Sequence, residues 1–314
     1  MEAEKAGLVV HGVCAVRETL LQFRACVGRD LDGIDLHDGH ATQVTPVPAR
    51  QDGGMRTALL TPRGGPAEPA GPPLVLVHGL MGRGSTWSRQ LPWLSRWGAV
   101  YTYDAPWHRG RDVADPYPVS TERFVADLGD AVAELGRPAT LVGHSMGALH
   151  SWCLAAARPE LVHAVVVEDM APDFKGRTTG AWEPWLHALP VEFTSAQQVY
   201  DEFGPVAGRY FLDAFDRTET GWRLHGHPAR WIEIAGQWGL RDYWEQWQAV
   251  RVPALLIEAG GTVAPPGQME RMAEIGYRTT YLRVPGAGHL IHDDAPAEYR
   301  GAVESFLATF AEHA

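Results

Sequence analysis

A serine flanked by glycines lies in the segment Gly143–Gly147, which reads GHSMG. The segment follows the apolar run Ala139–Val142, typical of a buried strand, and precedes Ala148–Ala157, typical of a helix. A strand, G-x-S-x-G and a helix in this order predict a sharp turn that presents the serine hydroxyl above a sheet. The helix N-terminus beneath it favours a developing negative charge. Ser145 is therefore the candidate nucleophile.

Two further segments carry groups that a serine nucleophile needs. The apolar run Pro73–Val77 predicts a buried strand, and it leads directly into a His-Gly loop that begins at His78. Downstream, Thr279–Val284 alternates as a strand does, and the Gly-rich loop after it ends at His289. A histidine on such a loop can reach back to the serine and act as its general base.

These segments together resemble the α/β-hydrolase fold superfamily, and the resemblance covers most of residues 55–311. Asp104–His108 looks like the D-x-P-G-H loop of that superfamily, with Trp107 in place of the usual glycine. The resemblance implies an α/β fold with a mostly parallel central sheet flanked by helices. It also implies a helical cap inserted between strand six (Ala164–Val167) and strand seven (Ala254–Ile257).

The acid that should orient His289 is at an unusual place. Relatives often carry an aspartate a few residues after strand seven, but Glu258–Pro265 contains none. In part of the superfamily, haloalkane dehalogenases among them, the acid follows strand six, where this chain has Asp169 in a D-x-x-P segment. Asp169 is the predicted acid, with Glu258 and Glu168 as alternatives. Strand alternation predicts that Glu168 points away from Asp169.

The resemblance also implies supporting groups around the predicted triad. The backbone N–H groups of Leu80 and Met146 would form the oxyanion hole. His78 would support its loop through packing and hydrogen bonds. Thr262 stands near the usual position of the acid, and its hydroxyl would hydrogen-bond to the catalytic histidine or to its acid.

The chain divides into an N-terminal extension (1–54), a hydrolase core in two parts (55–172 and 251–314) and a cap (173–250). The first strand of the core is expected at Met55–Thr61. The cap has no clear strand pattern and is rich in tryptophan: Trp182, Trp185, Trp222, Trp231, Trp238, Trp244 and Trp247. We expect most of these rings to form the core of the cap and a few to line a pocket for an apolar or aromatic group.

Composition and charge restrict the partners. The chain of 314 residues is 45% hydrophobic and 21% charged, which is ordinary for a soluble globular protein. A formal net charge of −11 argues against nucleic acid and anionic membrane surfaces as partners. No apolar run approaches the roughly 18 residues of a membrane span. The 3 cysteines and the absence of a secretory signal predict a cytoplasmic protein. No metal-binding spacing of Cys or His is present, so no metal is predicted.

The sequence therefore predicts a serine hydrolase that cleaves a small-molecule carboxylic ester through an acyl-enzyme, without a cofactor. Four other reactions on the same triad stay open: thioester hydrolysis, acyl transfer, C–C bond hydrolysis and cofactor-free haloperoxidase chemistry. A further alternative is a non-catalytic ligand-binding homologue, which the irregular position of the acid suggests.

Overall fold

The computed structural model describes residues 59–65, 71–108, 118–177, 183–224 and 226–311. Its strands, in chain order, are β1 (Leu60–Gly64), β2 (Leu74–Val77), β3 (Val100–Tyr103), β4 (Ala139–His144), β5 (Val162–Glu168), β6 (Glu192–Phe193), β7 (Asp216–Arg217), β8 (Trp222–Arg223), β9 (Ala254–Gly261) and β10 (Thr279–Gly288). The strands predicted as six and seven are β5 and β9.

The described residues form a seven-stranded sheet in the order β1-β3-β2-β4-β5-β9-β10. Strand β1 is antiparallel to β3, and the other neighbouring pairs are parallel. The carboxyl ends of the parallel strands therefore meet at one edge of the sheet, where open α/β sheets bind their ligands.

Strand β2 illustrates how the sheet is buried on both faces. Leu74 and Leu76 pack into one apolar cluster, whereas Val75 and Val77 pack into the other. The side chains alternate along the strand, and the four residues are all buried. A continuous apolar run is what a parallel strand covered by helices on both faces requires.

Helices connect the strands and cover the sheet. In chain order they are α1 (Leu91–Leu94), α2 (Thr121–Ala133), α3 (Met146–Ala157), α4 (Glu183–Ala188), α5 (Ala196–Ala214), α6 (Pro228–Trp238), α7 (Trp244–Ala249), α8 (Gln268–Ile275), α9 (Ile291–Asp294) and α10 (Pro296–Ala311). Helix α2 begins after Ser120, whose hydroxyl accepts a hydrogen bond of 3.2 Å from the N–H of Arg123. This side-chain cap satisfies one of the N–H groups that a helix leaves free at its start.

Residues 173–250, which we refer to as the insertion, lie between β5 and β9. They contain α4 to α7 and a second sheet of three strands in the order β6-β8-β7. Helix α5 consists of two helical segments that meet at Gly204, where φ is 78° and ψ is 175°. Glycine adopts this conformation readily, and Pro205 after it has no N–H to donate.

The structure corrects two expectations about these elements. The first described strand spans Leu60–Gly64, so it continues beyond the expected end at Thr61, while residues 55–58 of the expected strand lie outside the described residues. The insertion, expected to be helical and without strands, also contains β6, β7 and β8, which at two residues each have no periodicity to detect. Residues 1–54 lie outside the described residues. None of the helices in the described ranges has the length and apolar character that a membrane crossing needs.

Candidate active site

Ser145 lies at the turn between β4 and α3, with φ of 52° and ψ of −121°. This conformation is strained for a residue with a Cβ, and such strain is typical of functional sites. The flanking glycines make the turn possible. A Cβ at Gly143 would lie 2.6 Å from Cα of Ala148, and one at Gly147 would lie 2.1 Å from the carbonyl oxygen of Val77. Close backbone packing therefore holds the serine at the carboxyl edge of the sheet.

His289 directly follows β10, and its Nδ1–H donates a hydrogen bond of 2.7 Å to Oδ2 of Asp169. Asp169 directly follows β5, and its side chain is fully buried. Its carboxylate also accepts the backbone N–H of Ala259 at 3.0 Å and that of Val263 at 3.4 Å. With Nδ1 bound in this way, Nε2 is the nitrogen of His289 that remains for proton exchange.

The two alternative acids have other partners. Glu168 accepts hydrogen bonds from the backbone N–H and from Nδ1 of His292. Glu258 accepts a hydrogen bond from the hydroxyl of Tyr281 on the neighbouring strand. Burial raises the pKa of the Glu258 carboxyl. The carboxylate that meets the candidate base is thus that of Asp169.

The His-Gly loop after β2 passes directly beside the serine. A Cβ at Gly79 would lie 3.2 Å from Cβ of Ser145, so the glycine permits this approach. Nε2 of His78 accepts the N–H of Ala105 at 3.0 Å, which places its proton on Nδ1. That Nδ1–H donates to the carbonyl oxygen of Gly79 at 2.8 Å. His78 thereby holds the loop, and Leu80 follows at the wall of the cavity.

Met146, the other predicted oxyanion donor, is the first residue of α3 and is fully buried. The first N–H groups of a helix have no acceptor within the helix, and the helix dipole places partial positive charge there. Anions bind at such ends without further positive side chains. The positions of Leu80 and Met146 suit donation to an oxyanion at Ser145, and this role stays a prediction.

His144, the residue before the serine, holds the loop of the candidate base. Its Nε2–H donates to the carbonyl oxygen of His289 at 3.1 Å, and the two ring centroids lie 4.6 Å apart. Burial, together with the neighbouring His289 and His292, lowers the pKa of His144 well below 6.5. His144 is therefore neutral and adds no positive charge beside His289.

Thr262 lies in the segment between β9 and α8, at the wall of the cavity. Its hydroxyl accepts the backbone N–H of Ala264 at 2.9 Å. The predicted hydrogen bond from Thr262 to the histidine or to its acid stays a prediction. The backbone N–H of the next residue, Val263, is the group from this segment that approaches Asp169.

A cavity of about 840 Å³ includes Ser145 and His289 in its wall. The insertion contributes aromatic side chains to it, namely Phe174, Trp185, Tyr210, Phe211 and Trp238. By contrast, Trp231 and Trp247 are fully buried in the protein core. A volume of this size is typical of small-molecule sites. The insertion therefore gives one wall of the cavity an aromatic lining.

The sequence patterns did not identify Tyr210 as a site residue. Its hydroxyl packs closely on the loop after β2. A Cβ added at Gly82 of this loop would lie only 2.2 Å from the hydroxyl oxygen. The insertion thus contacts the loop that carries the predicted oxyanion donor. The spacing of Tyr210 from Ala207 and Ala214 predicts a buried helical face and gives no sign of this contact.

Comparison with known proteins agrees with this architecture. The sequence model of the Alpha/beta hydrolase family matches residues 74–302. The chain therefore belongs to the alpha/beta hydrolase family, which confirms the fold class predicted from its sequence.

Similar proteins within this family have different substrates. The chain is 29% identical over 257 residues to the sn-1-specific diacylglycerol lipase ABHD11 of Mus musculus, covering 76% of this chain and 81% of that protein. It is 26% identical over 266 residues to the pimeloyl-[acyl-carrier protein] methyl ester esterase of Xylella fastidiosa, covering 76% and 96%. The crystal structure of E-2-(acetamidomethylene)succinate hydrolase superposes with a TM-score of 0.69 at 20% identity, covering 79% and 94%. The last likeness concerns the fold alone.

Proposed function

We propose that this chain is a serine hydrolase that cleaves carboxylic esters through an acyl-enzyme. Ser145 is the nucleophile, His289 the general base and Asp169 the acid. The observation that carries the proposal is the 2.7 Å hydrogen bond between Asp169 and His289, at a cavity that Ser145 also lines. A nucleophile, a base and a group that orients the base are the parts that acyl transfer requires.

In the first half of the reaction, Nε2 of His289 removes the proton of Ser145 as Oγ attacks the acyl carbon. The new C–O bond converts the carbonyl into a tetrahedral oxyanion, which the N–H groups of Leu80 and Met146 stabilise. One such donor contributes about 3 kcal/mol to the transition state. Asp169 stabilises the imidazolium that forms and keeps its Nδ1 protonated.

The first half ends when the oxyanion collapses, the bond to the alcohol breaks and His289 gives its proton to the departing oxygen. In the second half water enters, and His289 removes a proton from it as it attacks the ester of Ser145. A second collapse releases the carboxylic acid, and the proton returns to the serine. The scheme uses groups of this chain and one water molecule.

The cavity supports an ester with an apolar or aromatic part as the substrate. Aromatic side chains such as Trp185 and Trp238 line it, and they can cover an acyl chain or a ring without hydrogen bonds to it. The two relatives whose names specify a lipase and a methyl ester esterase support ester cleavage over the other reactions of the fold.

The test is turnover of p-nitrophenyl esters of increasing acyl length, together with labelling by a fluorophosphonate and mass spectrometry of the adduct. We expect hydrolysis that increases from acetate to medium chains, and a label on Ser145. A parallel panel of thioesters, diketones and alcohol acceptors separates the other reactions on the same residues. Absence of both turnover and labelling would refute the proposal and favour a non-catalytic ligand-binding protein.

A further inference from the structure

Two consecutive carboxylates at the end of β5 bind two histidines that lie three residues apart. Beside the bond from His289 to Asp169, Nδ1 of His292 lies 2.8 and 2.9 Å from the two carboxylate oxygens of Glu168. The backbone N–H of His292 donates to the same carboxylate at 2.9 Å, and both side chains are fully buried. We refer to Glu168 and His292 as the inner pair.

The inner pair carries charge. Burial alone would lower the pKa of His292. The carboxylates of Glu168 and Asp293 together have the larger effect, so the pKa of His292 is raised above its ordinary value of 6.5. Nε2 of His292 lies 3.9 Å from Oδ2 of Asp293. The imidazolium also stacks on Trp87, with ring centroids 4.6 Å apart. Charge and packing together fix its orientation.

Arg89 connects the inner pair to the insertion. Its Nε and Nη2 donate to the two oxygens of Asp293 at 2.9 and 2.7 Å, a bidentate geometry of high specificity. Its Nη1 donates to Asp213 of α5 at 2.5 Å. Side chains of alternating charge therefore connect Glu168 and His292, through Asp293 and Arg89, to Asp213 of the insertion.

The inner pair is not a second copy of the predicted triad. Nδ1 of His292 is bound to Glu168, Nε2 faces Asp293, and the described wall of the cavity includes neither member of the pair. Stability alone is a weak explanation for a buried ion pair, because apolar residues of similar volume often replace one without loss. A role in positioning accounts better for its place beside the candidate acid.

The candidate acid needs such support. Asp169 has a φ of 48°, a conformation that a residue with a Cβ keeps only when its surroundings hold it. Its N–H donates to the carbonyl oxygen of Ile257 at 2.9 Å. The residue before it, Glu168, is held at its carbonyl oxygen by the N–H of Ser145 and at its side chain by His292.

We propose that Glu168 and His292 are positioning residues, whose bond holds Asp169 against His289. Glu168 directly precedes Asp169, and His292 lies three residues after His289. The bond between Glu168 and His292 therefore joins the two backbone segments that carry Asp169 and His289. The inference rests on the function proposed above, because it assigns the pair to the same reaction. Loss of the bond should lower kcat and leave KM unchanged, since neither residue touches the substrate.

The first test compares His292→Asn with Glu122→Gln as a matched control. Glu122 of α2 pairs with Arg241 of the insertion and its side chain is 66% exposed, so its replacement breaks an ion pair between core and insertion without touching the inner pair. In His292→Asn we expect kcat for a p-nitrophenyl ester to fall by ~10-fold or more, as for a misplaced catalytic group. In Glu122→Gln we expect kcat to stay within about threefold of wild type, since exposed ion pairs contribute little.

The split between kcat and KM separates positioning from simple loss of stability. In His292→Asn kcat per active site, counted by saturating fluorophosphonate labelling, should fall while KM stays within about twofold of wild type. A variant that is only less stable loses active sites but keeps kcat per site. Glu168→Gln, which retains the size of the side chain, should give the same result if His292→Asn fails to fold. An unchanged kcat per active site would overturn the proposal.

A measurement independent of catalysis completes the test. The Nδ1 proton of His289 that is bonded to Asp169 should give a downfield proton NMR resonance, assigned by its loss in Asp169→Asn. In Glu168→Gln this resonance should move upfield or broaden, and an unchanged resonance would contradict the proposal. If the resonance responds but wild-type protein cleaves no ester, the proposed function fails while the positioning inference stands.

Discussion

The backbone N–H of Ser145 donates a hydrogen bond of 2.9 Å to the carbonyl oxygen of Glu168. That carbonyl belongs to the peptide that leads into Asp169, so one junction between β4 and β5 places both the candidate nucleophile and the candidate acid. His289 reaches the same junction from β10, which is separated from β5 by β9. The relative position of the three groups is therefore set by the continuous part of the sheet.

Replacement of the nucleophile tests the serine directly. Ser145→Ala removes the attacking oxygen, and we expect ester hydrolysis to fall by at least ~10³-fold while the protein stays folded. Initial rates and the circular dichroism spectrum check the two parts. Ser151→Ala is the matched control, because this nearby hydroxyl is buried and donates to the carbonyl oxygen of Gly147 at 2.7 Å. Activity above a few per cent in Ser145→Ala would remove the serine from its proposed role.

Replacement of the acid tests the position of the carboxylate. Asp169→Asn keeps the shape of the side chain but cannot stabilise an imidazolium, so we expect kcat to fall by about 10²–10⁴-fold. Glu258→Gln is the control, since Tyr281 can still donate to an amide oxygen, and its kcat should stay within about threefold. Steady-state kinetics with one ester compares the two. The reverse pattern would move the acid from the end of β5 to β9.

Gly147, two residues after the serine, tests the packing of the turn. In Gly147→Ala the new Cβ would lie 2.1 Å from the carbonyl oxygen of Val77, so the backbone must move. We expect a loss of about 3 kcal/mol or more in the free energy of unfolding. Gly301→Ala in α10 is the opposite case, because nothing lies within 4 Å of its added Cβ. It should gain about 0.5–1 kcal/mol. Urea denaturation measures both, and equal midpoints would contradict the steric argument.

Acid should weaken the fold through a buried histidine. Burial lowers the pKa of His150 from 6.5 to about 3, with a smaller effect of His78. The unfolded chain therefore binds this proton more tightly than the native protein. Stability is complete above about pH 6.5 and declines as the pH falls towards about 3. At about pH 5 this one group costs about 2 kcal/mol relative to neutral pH.

The variant His150→Asn isolates this contribution to stability. The asparagine cannot be protonated, so the decrease in its urea midpoint between about pH 7.5 and about pH 5 should be smaller than in wild type. The comparison uses the change within each protein, because the substitution also alters packing against Phe124 at every pH. Equal decreases in both proteins would show that other groups control the acid sensitivity.

Local steric rules made the serine turn predictable from the sequence. The two glycines around Ser145 avoid clashes with the first turn of the following helix and with the adjacent strand, and such clashes have a fixed sequence signature. Strand alternation also predicted that Glu168 and Asp169 point apart, and the structure pairs them with different histidines. These predictions needed only the order of elements near one edge of the sheet.

The pairs that join distant parts of the chain were not predictable. His292 lies 124 residues from Glu168, and Arg89 lies 204 residues from Asp293. No local periodicity relates such positions, because their contact depends on the order of the strands and on where the insertion packs. The charges of these residues are visible in the sequence, but their partners follow only from the assembled fold.

Two aspartates of the insertion that are close in sequence form ion pairs with the core. Asp213 and Asp216 bind Arg89 and Arg83, which lie a few residues apart on the core side. We expect a chimera that replaces residues 173–250 with those of another member of the family, and that keeps two acids at this spacing, to dock on the same arginines. Its ligand preference should change, because the insertion lines the cavity, while Ser145, Asp169 and His289 come from the unchanged core.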